Sequence, residues 1–136
     1  MTDIVDKARR SQVMSAIRSK NTRPELAVRR LLYGMGFRYR LHADDLPGKP
    51  DIVLRRKNKA ILIHGCFWHR HAGCPKASMP KTRPDFWRHK FAANVARDKA
   101  VLQALTEQGW SVLTVWQCEI RNAEQLKARL NDFLGD

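Results

Sequence analysis

The chain has 136 residues, 43% of them hydrophobic, and carries 26 Lys and Arg against 13 Asp and Glu, for a formal net charge of +13. That length suits one domain with a real core, and so apolar a composition excludes a chain too polar to fold. So strong a positive balance favours polyanionic partners, nucleic acid first, over the plainer alternatives of a ribosome-like structural role or a solubility bias. Met1-Thr2-Asp3-Ile4-Val5-Asp6 contains no apolar signal core, and no run is long enough to span a bilayer. Three cysteines, with a histidine between two of them, suit metal binding in a reducing compartment better than a disulfide framework, so a cytoplasmic protein is expected.

Residues from about Asp6 to Ile17 read as a first helix marked by Val13, Met14 and Ile17. Asn21-Thr22 offers a cap, and Pro24 suits the first turn of a second helix running to about Met35. Leu26, Val28, Leu31, Leu32 and Met35 give that helix a buried stripe, Arg29 and Arg30 face outward, and Gly36 stops it. Phe37 to His42 alternates and predicts a strand, followed by a turn at Leu46-Pro47-Gly48-Lys49-Pro50. Asp51 to Arg55 and Lys59 to His64 form the best hairpin, closed around Arg56-Lys57-Asn58. Residues 65–83 are an irregular excursion rich in Cys, His, Pro and Lys, and a compact domain needs a staple or a function to keep one. Pro84 opens a long helix to about Gln108 carried by Phe86, Phe91, Val95, Leu102 and Leu105, with Gly109 ending it. Ser111 to Trp116 is an apolar strand and Glu124 to Leu134 a final helix. The order α-α-β-β-β-α-β-α implies a single α/β domain over residues 1–136 with a mixed central sheet flanked by helices.

Cys66-x4-His71-x2-Cys74 with the later Cys118 offers three thiolates and an imidazole, a full tetrahedral set for structural zinc. His69 competes with His71 for the imidazole place. The hairpin puts Asp51 across from Ile63 or His64, so a carboxylate, a strand-end carbonyl and an imidazole meet at one end of the sheet. A hard cation such as Mg2+ takes carboxylate, carbonyl and water oxygens together with phosphates. A neighbouring histidine, His69 or His64, could accept a proton from attacking water. Phe67-Trp68 has no helical or strand period to hide in. On a basic protein such a pair can wedge between base pairs, or it can plug the core beneath the loop. Met14 invites the wedge reading more weakly. Arg9-Arg10, Arg18, Lys20, Arg29-Arg30 and the lysines and arginines from Lys76 to Lys90 would contact phosphates.

Pro47-Gly48-Lys49-Pro50-Asp51, His64-Gly65-Cys66-Phe67-Trp68-His69, Phe86-Trp87, Asn94-Val95-x-x-Asp98 and Gly109-Trp110-x-Val112-Leu113 resemble the very-short-patch repair (Vsr) endonucleases, from about Lys7 to the last helix. The resemblance implies a restriction-endonuclease-like fold with a zinc-stapled loop at 65–83 and a DNA-contacting helix within residues 1–20. It implies a Mg2+-dependent enzyme that nicks one DNA strand 5′ of the thymine in T·G mismatches left by 5-methylcytosine deamination. Carried over, Asp51 resembles the Mg2+ ligand, with the Ile63 carbonyl as its partner, and His69 the residue that activates water. His64, Asp98 and Glu25 match the supporting shell; Cys66, His71, Cys74 and Cys118 the zinc ligands; Phe67, Trp68 and Met14 the wedge. The second strand reads Ile61-Leu62-Ile63-His64 where the wider nuclease superfamily has an acid and a lysine, which favours the narrower family. The loop is less histidine-rich than that family's pattern. A monomer, double-stranded mismatched DNA as substrate and other mismatch-repair proteins as partners are the corresponding expectations. A nuclease with another DNA target and a zinc-stapled DNA-binding module without catalysis are the rivals.

Overall fold

A computed structural model describes residues 22–135, so the expected first helix, Met14 and the basic residues beside it lie outside the described residues. Helix α1 spans Arg23–Gly34. Thr22 caps it, its hydroxyl accepting from the Glu25 N–H at 3.3 Å, and Pro24 sits in the first turn, where a missing N–H costs nothing. The helix closes on Gly36 at φ +94°: the Gly36 N–H donates to the Tyr33 carbonyl and the Phe37 N–H reaches back to Leu32 at 3.0 Å. Because Phe37 serves the helix end, the strand expected over Phe37 to His42 contracts to β1, Arg40–Leu41.

Strand β2 is Ile52–Leu54 and β3 is Lys59–His64, joined by a 3-10 turn at Arg55–Lys57 and by Asn58 in the left-handed region. Helix α2 covers Pro84–Glu107, β4 Ser111–Trp116, a 3-10 segment Gln117–Arg121, and α3 Ala123–Leu134, capped by the Asn122 side chain. The sheet order is β1-β2-β3-β4, antiparallel except for the parallel β3/β4 pair, whose connection contains α2. This is the α/β architecture with a mixed sheet that the element order implied.

Leu54 pairs with Lys59 and Ile52 with Ile61. One further step of that register sets Asp51 opposite Leu62, a residue short of the expected Ile63 or His64, since the turn starts at Arg55. The Asp51 side chain makes up the difference, as described below. Val28 and Leu32 of α1, Ile52, Leu54, Ile61 and Val115 of the sheet, and Leu126, Leu130 and Leu134 of α3 form one buried cluster. Val53, Ala60 and Leu62, pointing the other way along their strands, are buried too, so both faces of the sheet are covered.

Helix α2 takes the second face, packing against β4. Its inward file is Trp87, Phe91, Asn94, Asp98, Val101 and Leu105, a regular alternation of four- and three-residue steps. Phe86 and Leu102, expected to carry the helix, are off that file and stand 44% and 45% exposed. Arg29 also departs from expectation, turning inward to pair with Glu25 at 3.1 Å.

Candidate active site

Two groups of side chains meet where β2 begins and where β3 and β4 end. The first comes from three elements. Continuing the β1/β2 register places His42 beside Asp51, and the His42 N–H donates to the Asp51 carbonyl at 3.0 Å. The backbone at His42 is left-handed, φ 49°, a conformation histidine tolerates better than most residues. Its Nε2 lies 2.8 Å from Glu25 Oε2, the oxygen that also receives Arg29. Glu25 is the one charged side chain buried in the core among the described residues. Sequence reading missed His42. Its signal was there, as the residue that closes the alternating Phe37-to-His42 segment, but the β1/β2 pairing that brings it to Asp51 is not local.

Asp51 Oδ2 accepts the Ile63 N–H at 2.7 Å. Burial, with the Glu25 charge added, pushes the Asp51 carboxyl up to about 6 against the pull of the Ile63 N–H and His42. A strand residue's N–H and C=O project to the same side, so the Ile63 carbonyl is aimed toward Asp51 as well. A hard divalent cation fits this donor set: it takes carboxylate and carbonyl oxygens, and it would compensate the charge that burial now disfavours.

The second group is built on imidazole. His64 ends β3, and its ring stacks on that of His69 with centroids 3.9 Å apart and planes within 6°. His69 Nδ1 lies 2.7 Å from Asp98 Oδ2. That contact places the ring proton on Nδ1 and leaves Nε2 with a lone pair, the tautomer a general base requires. Burial first, and the neighbouring His69 imidazole second, hold the His64 imidazole down at about 4, so His64 is a neutral ring beneath its partner. Asp98 reaches the site because it occupies α2's inward file, one turn after Asn94, whose Nδ2 donates to the Trp68 carbonyl at 3.0 Å.

Cys66, His71, Cys74 and Cys118 converge with their ligand atoms all within 4.8 Å of one another. Cys66 Sγ and Cys118 Sγ lie 3.6 Å and 3.5 Å from His71 Nδ1. A metal with bonds of zinc-like length to sulfur and nitrogen requires an S···N edge of about 3.6 Å in a tetrahedron, so the donors fit a bound ion of that kind. His71, and not His69, belongs to this set, since His69 is engaged by Asp98 and His64. Cys118 arrives from the segment after β4, which ties the excursion to the sheet.

The excursion has a second staple that sequence reading did not single out. The Arg70 guanidinium donates to the carbonyls of Phe67, Ala77 and Ser78 at 3.2, 2.7 and 3.0 Å, and lies 3.9 Å from the Phe91 ring centroid. Phe67 and Trp68 are half-buried and meet edge to face at 5.0 Å. Phe67 also packs on Phe91, and Trp68 on Trp87 at 5.8 Å. The pair is thus seated on α2 and not projected alone into solvent. Of the residues expected at the site, Glu25 and Asp51 form one cluster, with Asp51 bonded to the Ile63 N–H, and His64, His69 and Asp98 form a second, joined to the first along β3. Cys66, His71, Cys74 and Cys118 form the adjoining knot, Phe67 and Trp68 lie beside it, and Met14 falls outside the described residues. Among the described residues, no helix is long and apolar enough to cross a membrane.

The family model described as DNA mismatch endonuclease Vsr matches residues 2–76. The type II nicking enzyme V.XorIIP of Xanthomonas oryzae pv. oryzae is 50% identical over 98% of this chain and 98% of its own. The type II nicking enzyme V.NmeAIP of Neisseria meningitidis is 44% identical over 100% of this chain and 96% of its own. The DNA mismatch endonuclease Vsr of Escherichia coli K12 is 43% identical over 93% of this chain and 80% of its own. With its restriction-endonuclease-like α/β fold and these relatives, the chain belongs to the Vsr family of DNA mismatch endonucleases and is a DNA endonuclease.

Proposed function

We propose that this endonuclease is a Mg2+-dependent, strand-specific nickase that cuts 5′ of the thymine in T·G mismatches arising from 5-methylcytosine deamination, leaving 5′-phosphate and 3′-hydroxyl ends. The observation that carries the chemistry is the pairing of an oxygen-donor cradle, Asp51 with the Ile63 carbonyl, and a histidine held in the base tautomer, His69 on Asp98. The mismatch itself comes from the family and from the aromatic pair beside the site.

Asp51 and the Ile63 carbonyl would hold Mg2+, which supplies charge compensation at the scissile phosphate. His69 Nε2 takes a proton from water as the water oxygen bonds to phosphorus. The phosphorus–oxygen bond to the 3′ carbon's oxygen breaks, and that oxygen leaves to take its proton from solvent. Asp98 steadies the imidazolium that forms, and neutral His64 keeps the ring in plane without adding a competing charge. Glu25 and His42 back Asp51 from α1 and β1.

The Cys66, His71, Cys74 and Cys118 knot would hold structural zinc, which needs no open coordination position. Phe67 and Trp68, with Met14 from the N-terminal helix within residues 1–20, would wedge at the weakened T·G step. The excess of lysine and arginine supplies sequence-independent phosphate contacts. We assign the enzyme to the cytoplasm, acting as a monomer on double-stranded DNA, with other mismatch-repair proteins as its partners. The test is nicking of T·G, matched and otherwise mismatched duplexes, each strand labelled, with and without Mg2+. One-strand cleavage of T·G alone is expected. Equal cutting of matched duplex would reject the mismatch reading, and undiminished cutting without any divalent cation would reject the metal role.

A further inference from the structure

We propose that Trp116 is a positioning residue: its indole, seated on the knot histidine His71, sets where the His64–His69 ring pair stands and therefore where the base is held. This rests on the reading that His69 takes the proton from water. Four rings form one continuous file. His71 stacks on Trp116 at 4.3 Å with planes within 8°. Trp116 meets His64 at 5.2 Å, close to perpendicular. His64 stacks on His69 at 3.9 Å, and Asp98 takes the far end through Nδ1.

Each end of this file is anchored by polar atoms, and its middle is not. His64 Nδ1 is buried without a hydrogen-bond partner, so no bond at that nitrogen fixes the ring's rotation. Contacts to its neighbours, His69 and Trp116, must do so. Trp116 is well placed for it. It faces His64 on the last rung of the parallel β3/β4 ladder. Its backbone N–H donates to Glu119 Oε1 at 2.8 Å, and Glu119 is itself paired with Arg129 of α3, so the Trp116 backbone is held at the end of β4. With that backbone anchored, the indole's stack on His71 and its edge contact with His64 make it a spacer between the metal knot and the base. A fraction of an ångström lost here reaches His69 through rings in van der Waals contact, and reaction geometry is steep in such displacements.

The test compares full-length zinc-loaded wild type, Trp116→Leu and Trp116→Phe in single-turnover nicking and DNA binding, with zinc content and the His64 and His69 ring resonances of histidine-labelled protein. For Trp116→Leu the nicking rate should fall by about ten- to a hundredfold. Its DNA affinity should stay within about threefold, zinc should remain bound, and both ring resonances should move. Trp116→Phe keeps a flat ring against His71 and should recover most of the rate. A Trp116→Leu protein that nicks at the wild-type rate, or whose histidine resonances do not move, overturns the proposal. So does loss of zinc from both variants, which would make Trp116 a wall of the knot and not a spacer. His69→Ala is the control for the underlying reading: if it nicks like wild type, His69 is not the base, whereas the resonance shifts still report whether Trp116 places the rings.

Discussion

Replacing Asp51 by Asn should abolish nicking and yet stabilise the protein when no Mg2+ is present. Burial first, then the nearby Glu25 charge, raises the Asp51 carboxyl from 3.8 to about 6. An acid whose pKa is higher in the folded chain binds more protons there than in the unfolded one between those two values. Stability therefore falls as pH climbs from about 4 to about 6 and stays reduced above it. A shift of that size corresponds to at most about 3 kcal/mol, or a melting temperature difference on the order of 10 °C in a domain of this length. Asn at this position still offers a carbonyl oxygen to the Ile63 N–H but carries no charge to bury. Thermal melts of zinc-loaded wild type and Asp51→Asn should thus diverge between pH 4 and 6, with the variant the more stable at pH 7.5. Adding Mg2+ should raise the wild-type midpoint at pH 7.5 and leave the variant's unchanged. A variant less stable than wild type at pH 7.5, or a difference that does not change with pH, would refute the argument that Asp51 is a buried charge awaiting a cation.

Asp98→Asn should lower the nicking rate by roughly a hundredfold or more while duplex binding persists, because an amide no longer selects the Nδ1–H tautomer of His69; rate and affinity measured on the same preparation separate the two effects. Arg70→Ala removes three hydrogen bonds to backbone carbonyls and should cost about 2–3 kcal/mol in denaturant unfolding, with protease cleavage appearing first within residues 65–83. Phe67→Ala and Trp68→Ala should erode the preference for T·G over matched duplex more than they weaken overall affinity, which is electrostatic and falls steeply with salt. An unchanged preference in both would make the pair a core plug on α2. Cys118→Ser should abolish zinc uptake by metal analysis, since it removes the one proposed ligand that comes from outside the loop.

Local chemistry made much of this molecule legible beforehand. The hairpin, the last strand and the two later helices follow from apolar runs bounded by Gly, Pro and Asn, and the Cys/His spacing announced the knot. Three things were not legible, each for a non-local reason. The choice between His69 and His71 depends on Asp98, which lies on α2 and claims His69. His42 reaches Asp51 only through a short ladder between segments separated by the Pro47-to-Pro50 turn. Helix α2 was read by counting apolar residues, which selects Phe86 and Leu102, whereas spacing selects Trp87, Phe91, Asn94, Asp98, Val101 and Leu105. On that second reading the two polar residues in an otherwise apolar file stand out, and both serve the loop: Asn94 holds Trp68 and Asp98 holds His69.

That file helps explain how one irregular segment can hold together the proposed metal ligands, the aromatics and the proposed base. Between β3 and α2 the chain has no ladder to hold it, so its geometry must come from outside. Cys118 reaches it from beyond β4 and Asn94 and Asp98 hold it from α2, while within the segment Arg70, lying over Phe91, ties together the carbonyls of Phe67, Ala77 and Ser78. His69 is held from α2 through Asp98 and stacks on His64, which ends β3, the strand whose Ile63 N–H bonds Asp51. A base on such a loop is no less constrained than one on a strand, and it lies next to the aromatics that would sense the mismatch. On the proposed function, a wedge at Phe67 and Trp68 would act directly on the residue that follows them, His69, so recognition and proton transfer would share one backbone segment. Lengthening the segment by a single glycine between Trp68 and His69 should separate the two, leaving T·G binding measurable and nicking lost; retention of nicking would show that the base is placed independently of the wedge.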